Sequence, residues 1–268
     1  MKETEPVRAI SDSEFWEHAY HGVRKSRRCL PNPRWRLGHF ELDRVFRQFL
    51  PRKSGLRLLE VGCGSSIWLP YFVREFGYKV SGVDYTLNGV EQAKENLARA
   101  GCTGNIIHAD FFDIEPRLQN QFDFVFSFGV IEHFERPGDV VARFASCLRE
   151  GGITITYIPN IPGFIGPLLK WVDRPFYQTH KHIDKQELVR YHTEAGQDVF
   201  FSSYIQLLDL NQLHLGKLGP RWAHLFHGAF AALDLPVLLA DRFLGLRVRS
   251  PRFSSSILVL ARKGPRQG

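Results

Sequence analysis

The chain is poor in sulfur, with four cysteines and one methionine among 268 residues. Cys29, Cys63, Cys102 and Cys147 lie far apart and form no Cys-x-x-Cys pair, so neither a zinc cluster nor a disulfide framework is indicated. Reduced thiols in a cytoplasmic protein are the expectation. No run of about 18 uncharged apolar residues occurs, so no membrane-spanning helix is predicted. The opening stretch MKETEPVRAISDSEF has no apolar core of the kind a secretory signal carries. A Gly-Lys-Ser/Thr phosphate loop is missing, which argues against a nucleoside triphosphate. Internal repeats and low-complexity tracts are absent as well.

What is there is an ordinary globular composition, 44% apolar and 24% charged, with a net charge of +7. That charge is compatible with an anionic ligand, a nucleic acid or an acidic membrane surface, and selects none of them. Its two densest points, Arg24-Lys25-Arg27-Arg28 and Arg242, Arg247, Arg249 and Arg252, read as solvated faces.

Ser11 and Glu14 have capping-box spacing, which predicts a helix from about Asp12 carrying Phe15, Trp16 and Tyr20. Leu42, Val45, Phe46 and Phe49 recur on one helical face. From residue 56 apolar runs at 56–61, 79–83, 105–108, 122–128 and 152–158 alternate with helical patterns at 67–76, 87–100 and 138–148. The segment 109–121 is weaker. Gly77, Gly101 and Gly151-Gly152 stop these patterns where C-cap glycines belong. The alternation predicts βαβ units and a Rossmann-like, doubly wound, mostly parallel sheet. A helix over Asp184–Gly196 and late strands at 198–206 and 254–262 bring the strand number to seven. The expected organisation is a helical cap at 1–54, a core at 55–206 and 254–264, and an apolar insertion at 207–253 with two short helices divided at Pro236.

The most informative stretch is RLLEVGCGSSIWLPYF, residues 57–72. A strand ends at Glu60-Val61 and turns through Gly62-Cys63-Gly64-Ser65-Ser66 into a helix. Glycines let the backbone turn tightly and let a ligand approach without meeting a Cβ. The helix that follows points its first N–H groups the same way. Asp84, twenty residues past Gly64, ends the next apolar run and is placed for ribose hydroxyls. The third glycine of a dinucleotide fingerprint is missing, since Ser66 and Ile67 stand there. A nucleoside-containing ligand other than a dinucleotide follows.

Taken together, these motifs resemble the class I S-adenosylmethionine-dependent methyltransferases over residues 55–206, and over most of the chain if the late strands are counted. LLEVGCGSS resembles the family's first motif, which implies that Glu60, Gly62, Cys63 and Gly64 cradle the methionine end and the sugar of S-adenosylmethionine. VSGVDY resembles the second, with Asp84 and Tyr85 at the ribose. IIHADFFDI implies Asp110 at the adenine amino group and Phe111 along the ring, and FDFVFSFGVIEHF implies Ser127 and Phe128 along the methionine portion. LREGGITITYIPN is similar to the family's passage into strand 5, and FWEHAY to the N-terminal helix that closes over the cofactor. By that resemblance Trp16 and Tyr20 line the pocket, although core packing explains them as well.

The family's amino-methylating members often carry Asn/Asp-Pro-Pro-Tyr/Phe after strand 4, where this chain has Ser127-Phe128-Gly129-Val130. VIEHF is instead similar to the small-molecule enzymes, including the quinone-biosynthesis O-methyltransferases. In those a Glu-x-x-Glu-His cluster can hold a divalent metal, but Gly129 stands at its first position here, and no metal is expected. His133 is the first candidate for general base, with a backbone-bonded helix-start histidine as the alternative. His180 and His182 in YQTHKHID are further catalytic candidates, and His224 and His227 weaker ones. Tyr157 and Asn160 are placed to orient substrate. The insertion reads as a lid over an apolar acceptor, a packing or dimer element, or a peripheral contact with an anionic membrane. The expectation is methyl transfer to a small, partly apolar acceptor at a hydroxyl oxygen, by a monomer or homodimer without a nucleic-acid partner. The alternatives are an RNA or protein methyltransferase, or a non-catalytic S-adenosylmethionine-binding partner protein.

Overall fold

The computed structural model describes residues 7–11, 14–17, 29–210 and 220–265, the side chains of 220–227, 230, 231 and 233 excepted. Tyr20 and the Arg24–Arg28 cluster lie outside the described residues, as do the side chains of His224 and His227. Seven strands form one sheet: β1 (Arg57–Val61), β2 (Lys79–Asp84), β3 (Asn105–His108), β4 (Phe122–Phe128), β5 (Leu148–Pro159), β6 (Gln197–Leu207) and β7 (Ser254–Lys263). Their spatial order is β3-β2-β1-β4-β5-β7-β6. The first five are parallel, whereas β7 runs antiparallel to both β5 and β6, so the sheet is mixed.

Covering this sheet are α1 (Leu37–Phe49), α2 (Trp68–Phe76), α3 (Leu87–Arg99), α4 (Phe111–Ile114), α5 (Pro137–Cys147), α6 (Ile165–Val172), α7 (Arg174–Gln178), α8 (Lys185–Glu194) and α9 (Pro220–Leu244). The strands alternate between two cores. Leu58 of β1 packs with Phe46 of α1, Phe72 of α2 and Leu97 of α3, while its neighbour Leu59 packs with Phe144 of α5 and Leu188 of α8. A strand buried on both faces must read as a nearly unbroken apolar run, as β1 does. The direction of winding reverses between β1 and β4, and the crevice outside their carboxyl ends is where such a fold receives a ligand.

Local signals account for most boundaries. Asp184 and Glu187 form the expected capping box on α8, with bonds of 2.8 and 3.0 Å. Gly77 closes α2 in the left-handed region at φ 73°. Residues 14–17 are helical, with Ser11 accepting from the Trp16 indole at 2.9 Å. The weak 109–121 segment is the short α4 followed by a 3-10 turn at Glu115–Arg117.

Two expectations are corrected. Among the described residues of the insertion, the stretch expected to break at Pro236 is one helix, α9, that continues through it. Pro236 and Ala232, whose carbonyl loses its donor, are both exposed, so water can take the missing bond. Helices α6 and α7 lie in a stretch for which no element was expected. Pro167 sits in the first turn, where no intrahelical donor is needed. A Cβ on Gly166 would lie 2.0 Å from the Ile161 carbonyl oxygen, so only glycine fits.

Helix α9 docks on α1 through an ion pair between Asp241 and Arg44. Its end and the following ribbon leave Phe243, Leu244, Leu246 and Val248 exposed beside Arg242 and Arg247. No described helix is long and apolar enough to cross a membrane.

The handover from β1 to α2 uses a buried acid. Ser66 Oγ donates to Glu60 Oε2 at 2.7 Å and accepts from the Trp68 and Leu69 N–H groups at 3.0 and 3.3 Å. Burial pushes the Glu60 carboxyl up to about 8, against the lowering effect of the Ser66 bond. With its folded pKa raised, Glu60 takes up a proton on folding, so its contribution is full below about pH 4.5 and drains as pH rises through about 8. Glu60→Gln should therefore flatten the fall in thermal midpoint between pH 5.5 and 8.5 relative to wild type. Parallel curves for the two proteins in scanning calorimetry would contradict this.

Candidate active site

The glycine turn is held open by hydrogen bonds to its own strands. The Gly62 and Cys63 N–H groups both donate to the Val83 carbonyl, at 2.9 and 3.1 Å. Gly62 has φ 68°, and a Cβ there would lie 2.7 Å from Val130 Cγ2. Asp84, at the end of β2, receives the Gly64 N–H on Oδ2 at 2.7 Å. Its Oδ1 receives the Thr86 N–H at 2.9 Å and the Thr86 hydroxyl at 2.6 Å. Thr86 in turn caps α3, accepting from the Gly89 N–H at 3.2 Å. Burial raises the Asp84 carboxyl above its ordinary value, and the donors from Thr86 and Gly64 work against that rise.

Three adjoining cavities follow this edge of the sheet. One of about 160 Å³ is lined by Gly62, Asp84, Tyr85, Asp110, Phe111 and Val130, among others. A second, of about 100 Å³, shares Gly62, Asp84 and Tyr85 with it and adds Trp16, Phe128, Gly129 and His133. The third, of about 470 Å³, begins at the same Trp16, Phe128, Gly129 and His133 and extends under α1 and α6 past Leu42, Ile165 and Leu169. Phe128 is fixed by a face-to-face stack on Tyr157, with centroids 3.9 Å apart. The Tyr157 hydroxyl donates to Gln206 Oε1 at 2.6 Å. Gln206 sits in the left-handed region at φ 61°, and its amide lies so close to α1 that a Cβ on Gly38 would fall 1.8 Å from Nε2.

Six of the ten expected cofactor residues, Gly62, Asp84, Tyr85, Asp110, Phe111 and Phe128, line the two smaller cavities. Glu60, Cys63, Gly64 and Ser127 line none of the three cavities. Glu60 serves α2 as described, Gly64 offers its N–H to Asp84, and Cys63 packs so tightly on Gly82 that a Cβ there would lie 2.7 Å from Sγ. Ser127 is buried in the sheet. Glu60 and Ser127 are turned inward by their places on β1 and β4, and Cys63 and Gly64 close the turn from behind.

His133 ends a 3-10 turn at Ile131–His133 and faces both the second and third cavities. Its Nδ1 lies 2.9 Å from the Thr179 carbonyl oxygen. A carbonyl only accepts, so Nδ1 carries the proton and Nε2 is the acceptor nitrogen. His180 is held in the same way, with Nδ1 2.8 Å from the Phe176 carbonyl oxygen. The two rings meet edge to face at 4.5 Å, and the Trp16 ring covers His133 at 4.7 Å. The Lys181 N–H donates to the Glu132 carbonyl at 2.6 Å, tying the loop that bears His180 to the 3-10 turn.

Glu132 completes the group, with Oε1 3.9 Å from His133 Nε2. Only 1% of the residue is exposed, and neither carboxylate oxygen has a hydrogen-bond partner among the described residues. Burial pushes its carboxyl up to about 8. Glu132 was read in the sequence only as part of an incomplete metal motif, and nothing in VIEHF shows that its side chain turns inward.

His182 is corrected. It is exposed, its ring rests 5.2 Å from Tyr177, and it lines none of the three cavities. Tyr157 does line the third cavity. Asn160 does not; its amide donates to the Pro251 and Ser254 carbonyls, both at 2.8 Å, and fastens the end of the insertion.

A methyltransferase-domain family model matches residues 35–200. The ubiquinone biosynthesis O-methyltransferase of Bradyrhizobium sp. (strain ORS 278) is 29% identical over 146 residues, which cover 52% of this chain and 56% of the relative. The chain thus spans about half the length of the curated relatives it matches. The Haemonchus contortus phosphoethanolamine N-methyltransferase 2, solved with phosphomonomethylethanolamine and S-adenosylhomocysteine, superposes with a TM-score of 0.56 at 16% identity, covering 95% of this chain and 58% of that one. An S-adenosylmethionine-dependent methyltransferase from Archaeoglobus fulgidus superposes with a TM-score of 0.56 at 16% identity, covering 94% of this chain and 100% of that one. At these identities the structural matches speak for the fold.

Asp84→Ala leaves the Gly64 and Thr86 donors without their acceptor, a loss of ~1–3 kcal/mol. It should weaken S-adenosylhomocysteine binding about 10- to 100-fold in calorimetry. Unchanged affinity would show that the β2 acid does not order this turn for the ligand.

Proposed function

The chain belongs to the class I S-adenosylmethionine-dependent methyltransferases, and from that premise we propose that it methylates a hydroxyl oxygen of a small, partly apolar acceptor held in the 470 Å³ cavity. The observation that carries this reading is the shared wall. Trp16, Phe128, Gly129 and His133 border both the cofactor side and the larger cavity, so a reacting oxygen and a methyl donor can meet there.

When bound, S-adenosylmethionine supplies a methyl group already activated by its sulfonium. The chain's own task is then to position the acceptor, exclude water and manage the proton of the hydroxyl. Leu37, Leu42, Ile161, Ile165 and Leu169 offer an apolar wall to the body of the acceptor. Glu132, His133 and His180 form the polar end that receives its oxygen. Trp16 closes the neck from the N-terminal side. Asp234 of α9 also borders the large cavity, which supports reading residues 1–54 as a cap and 207–253 as a lid over a core at 55–206 and 254–264. In this reading the exposed Phe243–Val248 ribbon rests on an anionic lipid surface from which an apolar acceptor is drawn.

The test is transfer of labelled methyl from S-adenosylmethionine to a panel of phenolic and isoprenoid-tailed hydroxyl compounds, offered free and in anionic vesicles. His133→Ala should lower turnover about 10²- to 10⁴-fold while S-adenosylhomocysteine affinity is kept. Faster transfer from vesicles is expected of a ribbon that meets lipid, and equal rates would remove that role. Label appearing only in amines, RNA or protein would overturn the choice of acceptor.

A further inference from the structure

We propose that Glu132, His133 and His180 are the ligands of a divalent transition-metal ion, whose open side faces the acceptor cavity. The proposal rests on the methyl-transfer reading for what the cavity holds, and adds how its polar end acts on the acceptor oxygen.

One line of argument is the carboxylate. A buried acid that no side-chain donor reaches is costly to ionise, and a bound cation is the partner that removes the cost. The imidazoles supply another. Both have Nδ1 committed to a main-chain carbonyl, Thr179 for His133 and Phe176 for His180, which aims Nε2 of each ring at its surroundings. That is the arrangement in which histidines ligate metals, the outer bond fixing both tautomer and ring plane. Both carbonyls come from the end of α7, so one segment orients both rings.

Distances agree. One ligand atom from each of the three residues lies within 4.8 Å of the others. Two donors each about 2.1 Å from a common ion are at most about 4.2 Å apart, so a small inward adjustment closes the site.

The third donor departs from the expected motif. The resemblance to quinone-biosynthesis enzymes would put an acid at position 129, and Gly129 made a metal unexpected. In the fold His180 brings a donor from a different element, and a side chain at Gly129 would be strained by its φ of 69° and would begin 3.5 Å from Glu132 Oε1. Two imidazoles and one carboxylate make a softer set than two carboxylates and one imidazole. Such a set favours Zn²⁺, Co²⁺, Fe²⁺ or Mn²⁺ over Mg²⁺ or Ca²⁺. With three protein ligands, positions remain for the acceptor hydroxyl, whose acidity the ion would raise.

The experiment is a Co²⁺ titration of chelator-treated full-length protein, read by visible absorption, with S-adenosylhomocysteine binding measured on the same samples. Wild type should show bands that saturate at one equivalent, disappear on adding Zn²⁺ and persist in excess Mg²⁺. Glu132→Gln and His180→Ala should each weaken Co²⁺ binding about 10- to 100-fold or more. His180→Gln, which keeps the bulk of the side chain, guards against a loss of fold, and His182→Ala on the exposed neighbour should leave the bands unchanged. Wild-type protein that binds S-adenosylhomocysteine but shows no more Co²⁺ absorption than the His180 variants would overturn the ion site and leave the methyl-transfer reading standing. Saturating bands without any S-adenosylhomocysteine binding would overturn the methyl-transfer reading instead.

Discussion

The site depends on one buried carboxylate at the end of β2. Asp84 gathers the Gly64 N–H on one oxygen and the Thr86 N–H and hydroxyl on the other. Through those bonds it sets the path of the glycine turn after β1 and the start of α3 together. A turn that must present its backbone to a ligand cannot be filled from inside by side chains, so it has to be tied from behind. Asp84, Ser66 with Glu60, and the Val83 carbonyl provide those ties. They hold open the crevice where the sheet reverses direction, and the three cavities follow from it.

A similar logic runs along β4 and β5. Phe128 borders both the second and the third cavity, and its ring meets Phe126 of its own strand at 6.2 Å and Trp68 of α2 at 6.4 Å, but its tightest contact lies on β5. Its position is set by the stack on Tyr157, whose hydroxyl is held by Gln206 and Ser256. Gln206 reaches that place from a left-handed backbone and is tied through its N–H to Glu41 of α1. The cap helix, the last strands and the neck between the cavities are thus one connected structure. A change at Glu41, which borders none of the three cavities, reaches Phe128 through Gln206 and Tyr157.

The strand and helix rhythm from residue 56 to 159, the Asp184 cap and the two late strands were legible because each rests on local periodicity or a local cap. The places of Gly62, Asp84, Asp110 and Phe128 along the crevice could be read as well, because they stand at turns and strand ends that spacing can locate. Cys63 and Ser127 show the limit. They belong to the same motifs, but alternation along β4 turns Ser127 inward, and Cys63 packs on Gly82 behind the turn, which no spacing shows. Helix α6 was hidden by Gly166, which fits only because it packs on the Ile161 carbonyl, and by Pro167, which fits only in a first turn. The convergence of Glu132 and His133 with His180 was equally hidden, since it is made by the 3-10 turn after β4 and the loop after α7 meeting in space. His180 and His182 look alike in YQTHKHID, and only the fold separates the buried one from the exposed one.

The central claim is that the methyl donor and the acceptor meet at the neck formed by Trp16, Phe128, Gly129 and His133. A crystal structure of the protein with S-adenosylhomocysteine tests it most directly. The account predicts ribose hydroxyls at Asp84, adenine between Asp110 and Phe111, and the sulfur at Phe128–Gly129, open to the larger cavity. A sulfur turned away from that cavity, or an adenosine outside the Asp84 turn, would contradict it.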